Sequence, residues 1–344
     1  MKPIRLLLSG LLALPVALAG CATGAGTDTD QTSSGQAGDE VSIVLDWTPN
    51  TNHTGIYVAQ QKGYYADAGI DLDVLGYSQA GVESVMGSGG ADFGFSGVET
   101  LAAARASDLD LTMVFNLQQR SSYGVAVRQD SDIESPKDLD GKTLAAYGAG
   151  ATSFATTQMI QADGGEGNFD TVVVGTGALD AVVAGQADFA EALATWEVLQ
   201  YELQGDEFRM FFPDDYGVPT SPALLGISAR SELIADNPDL VTRFVQATEK
   251  GYEYAVDNPD DAAQILIDAN PQVNLDPELT KASQQLLSSD YWPDAEGSVG
   301  HADLEAWQTY LDLLTAGGLV VGADGQPYTS KLDASELVTN EFLV

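Results

Sequence analysis

From residue 41 the chain switches repeatedly between two hydrophobic periods. Residues 41–47 (VSIVLDW) are rich in β-branched positions and predict a strand. Residues 54–68 follow with helical character, and Gly69 stands where a glycine stop ends a helix. Residues 70–75 alternate apolar and acidic positions as a strand, 80–86 predict a short helix, and 91–95 a further strand. Strand and helix in regular alternation predict a mostly parallel sheet flanked by helices.

One unit occurs twice. Gly89-Gly90-Ala91-Asp92-Phe93 recurs as Gly185-Gln186-Ala187-Asp188-Phe189, each copy after a short helix and before a loop. The second half has its own alternation: a helix start at Ser135-Pro136, a strand at 142–146, a helix at 152–162 and a strand at 171–174. The pattern divides the folded part into two lobes, 41–122 with 223–344 and, between them, 123–222. The chain crosses near 121–128 and returns at 223–228. Beyond Ser231 it turns helical, over 237–257, 260–270, 277–289 and 302–316. Two crossings suit a hinge. Open α/β sheets bind ligands at the carboxyl ends of their strands, which directs attention to the loops at 94–100 and 190–196.

The beginning of the chain has a different character. Lys2 and Arg5 precede an apolar stretch over 6–18 that is too short to span a ~30 Å bilayer core, so 1–20 are expected to be a signal peptide. It ends in Leu18-Ala19-Gly20-Cys21, the order of a bacterial lipobox, and Cys21 is the single cysteine of 344 residues. Lipidation at Cys21 is therefore expected, and neither an intrachain disulfide nor a multi-thiolate metal site can form. Residues 21–40, rich in Gly, Thr, Ser, Asp and Gln, are expected to be a flexible tether with a reach of about 24 Å. The expected location is extracytoplasmic, on the cell membrane through the lipid alone. With 51 acidic against 14 basic residues, the formal charge of −37 argues against nucleic acid and anionic membrane surfaces as partners.

A longer motif carries a resemblance. Leu45-Asp46-Trp47-Thr48-Pro49-Asn50-Thr51-Asn52-His53-Thr54-Gly55, followed by Tyr57-Val58-Ala59 and Lys62-Gly63-Tyr64-Tyr65, resembles the thiamine-pyrimidine-precursor binding proteins of bacterial ABC importers, in the NMT1-like group of type II periplasmic binding folds. The resemblance continues at Asp138-Leu139-Asp140-Gly141-Lys142, Trp196-Glu197, Tyr216-Gly217-Val218-Pro219 and Thr339-Asn340-Glu341-Phe342-Leu343. It implies two α/β lobes closing on one heterocyclic solute, a thiamine pyrimidine precursor, which is then handed to ABC permease subunits. The same group includes receptors for riboflavin, alkanesulfonates and nitrate, and fungal pyrimidine synthases. Ala192 and Ser221 stand where its pyrimidine binders often carry an aromatic and a tyrosine.

The expected ligand contacts lie at predicted strand ends. Trp47 can stack on a flat ring or cap the lobe's core. Asn52 and His53 can offer polar groups from a helix start or simply build a turn. Phe95 and Ser96 follow the first copy of the repeated unit. Thr152 and Ser153 open a helix behind a glycine-rich stretch that lacks the Gly-Lys-Ser/Thr of a phosphate loop. Trp196 and Glu197 follow the second copy, where a carboxylate can pair with an aminopyrimidine's amine edge. Tyr201 and Tyr216 are candidate wall residues. No metal or cofactor is expected. The enzyme alternative, a pyrimidine synthase, is associated with a cysteine-rich iron motif that a chain with one cysteine cannot contain, and His53 and His301 show no triad spacing. The chain reads as a monomeric solute-binding protein and not an enzyme.

Overall fold

A computed structural model describes residues 38–147, 151–221 and 225–344. The expected signal peptide, Cys21 and nearly all of the expected tether lie outside the described residues, as do the glycine stretch at 148–150 and the start of the second crossing at 222–224.

Ten strands form two sheets. They are β1 (Asp39–Val44), β2 (Ile70–Leu75), β3 (Phe93–Ser96), β4 (Leu111–Phe115), β5 (Tyr123–Arg128), β6 (Thr143–Ala146), β7 (Asp170–Val173), β8 (Phe189–Leu193), β9 (Phe208–Phe211) and β10 (Gly226–Arg230). The first sheet has the order β2-β1-β3-β10-β4 and the second β7-β6-β8-β5-β9. In each, four strands run one way and one runs against them: β10 is antiparallel to β3 and β4, and β5 to β8 and β9. The reason is topological. β5 and β10 are the strands by which the chain arrives from the other lobe. They enter at the edge where neighbouring strands end, so they must run outward against them.

Alternation along the strands separates two cores per sheet. Ile43, Phe93, Phe95 and Ile227 face one cluster with Phe244 and Tyr252, while Val44, Met113 and Leu111 face another with Trp307 and Leu311. In the second sheet Val125, Val127, Leu144 and Phe189 share one cluster, and Ala126, Ala145 and Ala190 the other.

The repeated unit proves to be a strand-starting device. Gly89 and Gly185 take left-handed φ of 76° and 68°, a conformation glycine adopts without steric cost. The following aspartate then staples its strand to a neighbour. Asp92 Oδ2 accepts from the Ser42 backbone N–H (2.9 Å), and Asp188 Oδ2 accepts from that of Thr143 (2.8 Å). Each bond is charge-assisted and sets register where the ladder begins. Phe93 and Phe189, next in line, are fully buried.

Several expected boundaries shift. The helix expected over 54–68 breaks into Thr54–Gln61 and Tyr64–Asp67, because Gly63 is left-handed (φ 80°) and turns the chain. The first strand stops at Val44, so Trp47 lies three residues beyond it. The first crossing precedes Tyr123, since that residue already belongs to β5. The C-terminal region is helical as expected, over Pro238–Asp257, Pro259–Ala269, Pro277–Leu286 and Leu304–Ala316, with a π-helical turn at Leu287–Tyr291. Asparagine or aspartate precedes each helix, and Asn237, Asp276 and Asp303 accept first-turn amides. No helix among the described residues is long and apolar enough to cross a membrane.

Candidate ligand-binding cleft

The edges of the two sheets enclose adjoining cavities of about 790 and 650 Å³. Asp46, Asn52, Tyr123, Tyr147, Glu191 and Leu193 line both, so they form the waist of a single cleft. The larger chamber is walled by Trp47, Trp196, Tyr201 and Glu197, and the smaller by Phe95, Ser96, Thr156 and Tyr310.

The waist is built from strand ends. On β8, Phe189 and Glu191 are two residues apart and share a face. Phe189 fills the core, whereas Glu191 lies further along, where the core gives way to the cleft. It is only 4% exposed, and one carboxylate oxygen accepts from the Thr156 hydroxyl (2.8 Å). The opposite side is the loop after β1. Here the Asn50 side chain accepts from the Asn52 N–H (2.9 Å), and the Asn52 carbonyl accepts from the Tyr252 hydroxyl (2.7 Å). Thr51 is joined to Ser283 by a buried hydroxyl pair (2.7 Å). The C-terminal helices thus hold the loop in place.

Seven of the eleven expected contacts converge on this cleft. Trp47 is 44% exposed and leans on Tyr77, with ring centroids 5.1 Å apart. Asn52 faces both chambers. Phe95 and Ser96 are buried at the end of β3, and the Ser96 hydroxyl finds no hydrogen-bond partner among the described residues. Trp196 and Glu197 sit on a π-helical turn, Ala194–Val198. Glu197 is more committed than expected: its Oε2 accepts from the Leu193 N–H (3.2 Å), and burial pushes its carboxyl above the ordinary range. Tyr201 donates to Asp180, and burial followed by that carboxylate pushes its phenol up to about 12.

Three expectations are corrected. His53 is 0% exposed and lines neither chamber; both of its ring nitrogens are engaged inside the protein, with Asn50 and Asp46. Tyr216 packs edge-on against Phe211 in the second lobe's core, 6.4 Å between centroids. Ser153 lines neither chamber. The side chain of Thr152 lies outside the described residues.

Asp46, Glu191, Tyr123, Tyr147 and Thr156 were not singled out from the sequence, yet they make the waist and its walls. Glu191 carried a legible signal. A carboxylate in phase with Phe189, on a strand of otherwise apolar residues, is out of place unless it serves a site. Among the described lining residues there is no lysine or arginine, so the charged groups of the cleft are all carboxylates. Arg105 pairs with Asp110, and Arg120 lies over the Tyr291 ring; neither reaches a chamber. No cluster among the described residues could hold a metal ion.

Two mixed sheets with these crossings, enclosing one cleft, are the architecture of the type II periplasmic binding proteins. The aliphatic sulphonate binding protein SsuA of Escherichia coli superposes with a TM-score of 0.68 at 14% identity, over 86% of this chain and 96% of that one. Residues 50–262 match the model of the NMT1/THI5-like family, and the chain belongs to that family. Among its relatives, the formylaminopyrimidine-binding protein of Halalkalibacterium halodurans is 29% identical over 85% of this chain and 89% of its own length. The riboflavin-binding protein RibY of Chloroflexus aurantiacus is 27% identical over 88% and 86%.

Proposed function

We propose that this chain is the solute-binding component of an ABC importer and that it captures a flat, amine-bearing heterocycle of the thiamine pyrimidine-precursor type. The observation that carries the reading is the charge of the cleft. Glu191 and Asp46 face both chambers, aromatic side chains frame them, and no cation stands among the described lining residues. A sulfonate or nitrate would meet carboxylates with nothing to neutralise it, at a cost that grows as water is expelled. An aminopyrimidine gives each carboxylate a donor and gives Trp47, Trp196 or Tyr147 a π-face. The relative that binds formylaminopyrimidine supports the same class.

A binding role is favoured over catalysis. The relatives named for binding, the formylaminopyrimidine-binding and riboflavin-binding proteins, support it. The lipobox and lone cysteine support a lipid anchor on Cys21 and an extracytoplasmic location, with a monomeric body delivering solute to permease subunits. Mass spectrometry of the mature protein should find a diacylglyceryl cysteine at its N-terminus.

Calorimetric titration with a formylaminopyrimidine, riboflavin and an alkanesulfonate tests the ligand class. The expected order of affinity is aminopyrimidine, then flavin, with no measurable sulfonate binding. Preference for the sulfonate would overturn the reading.

A further inference from the structure

Asp46 follows β1 and opens onto both chambers from the first lobe, opposite Glu191 of the second. A third of its side chain is exposed, and behind it lies a histidine with no exposure. The hydrogen bonds fix that histidine's tautomer. The Asn50 backbone N–H can only donate, and it points at His53 Nδ1 (3.1 Å), so Nδ1 is the unprotonated nitrogen. The ring proton therefore resides on Nε2, which donates to Asp46 Oδ1 (2.8 Å). Phe95 packs edge-on to the ring, 4.7 Å between centroids at 77°, and resists its rotation. Asp46 Oδ2 has no hydrogen-bond partner among the described residues.

We infer that Asp46 is a specificity-determining residue that accepts a hydrogen bond from the ligand's amino group through Oδ2, and that His53 is its positioning residue. The inference rests on the amine-bearing class proposed above. Held by the Nε2–H donor through Oδ1, the carboxylate keeps Oδ2 as one fixed acceptor toward the cleft. A ring amine satisfies that acceptor. A ring carbonyl at the same place sets oxygen against oxygen and leaves the acceptor unpaired once the solute covers it, which is how a polar site rejects a near-isostere. With Glu191 across the waist, the cleft selects a solute with donors toward both lobes.

The test compares a 4-aminopyrimidine bearing a formylamino side chain with its 4-oxo counterpart, by calorimetry, on wild type, Asp46→Asn, His53→Gln and His53→Leu. Wild type should prefer the amine. Asp46→Asn should reduce amine affinity by roughly 10- to 100-fold and leave the oxo compound unchanged or improved, since the amide can donate to a carbonyl. His53→Leu should erode the same preference, and His53→Gln, which restores a donor to Asp46, should recover much of it. An equal loss for both compounds, or an unchanged preference in Asp46→Asn, would mean the pair only staples the loop. If wild type instead favours riboflavin or the sulfonate, the ligand class fails and takes the amine-reading role with it. Should the His53 variants not fold, nitrogen-15 spectra of wild type decide the positioning: a proton on Nδ1 would contradict it.

Discussion

The side-chain amide of Gln118, in the first crossing, donates to Oδ1 of Asn52, on the cleft wall, over 2.9 Å. The other end of the same amide accepts from the Ser122 hydroxyl (3.3 Å), just before β5 begins. Gln118 is 1% exposed and Ser122 is fully buried. A single side chain therefore joins the ligand-facing loop of one lobe to the point where the chain enters the other. Ser121 adds a cross-link, its N–H donating to the Ser221 hydroxyl near the return crossing (2.7 Å).

Removing that link should be felt in stability. Gln118→Ala leaves Asn52 Oδ1 and the Ser122 hydroxyl without this partner in a buried setting, at an expected cost of about 1–3 kcal/mol. Chemical denaturation followed by tryptophan fluorescence measures it. Small-angle scattering with and without ligand should also show a smaller ligand-induced compaction in the variant than in wild type.

Glu191→Gln keeps the volume and can still accept from Thr156, but it removes the charge. Aminopyrimidine affinity should fall by about 1.5–3 kcal/mol, while riboflavin, which has no exocyclic amine to pair with the carboxylate, should lose less. Calorimetry on both ligands separates the two. Equal losses would indicate that Glu191 shapes the waist without reading charge.

Trp47→Ala should weaken every flat ligand by on the order of 1–2 kcal/mol, because stacking tolerates any π-face. Stability should change little, since the indole is 44% exposed and lies outside the main core clusters. Titrations alongside thermal melts check the pair of outcomes. A large loss of stability would place Trp47 in the packing and not in the site.

Glu197 should leave a signature in the pH dependence of folding. Burial raises its carboxyl above the usual 4.5, so the folded state favours the protonated form. Its contribution is fully present below the unfolded value and is lost as pH rises through the elevated one. At neutral pH the ionised form thus weighs against the fold. Glu197→Gln can keep the bond from Leu193 and should stabilise the protein at about pH 7, with the difference from wild type shrinking toward about pH 3. Denaturation midpoints at the two pH values test the sign.

Local pattern by itself carried a great deal of this molecule. The strand at Ile70–Leu75 is legible from alternation, and the twin Gly-x-Ala-Asp-Phe units mark both strands whose far ends reach the cleft. These features depend on neighbours two to four residues away, and the chain states them directly. Trp47, Phe95 and Trp196 could be placed near the cleft because strand ends in an α/β sheet share one edge. Tertiary structure decided what each polar residue at that edge does. Glu191 and Glu197 both follow the second repeat, one on β8 and one just beyond it. Glu197 caps its own π-helical turn, and Glu191 meets Thr156 and faces the waist. His53 and Asp46 lie in one motif, yet the histidine turns inward to orient the aspartate. Tyr216, in a family-like motif, belongs to the core beside Phe211. The antiparallel sense of β5 and β10 likewise follows from where the chain crosses. A side chain's role at a cleft depends on hydrogen-bond partners brought from distant segments, as with Thr51 and Ser283 or Asn52 and Tyr252, and no local periodicity encodes those encounters.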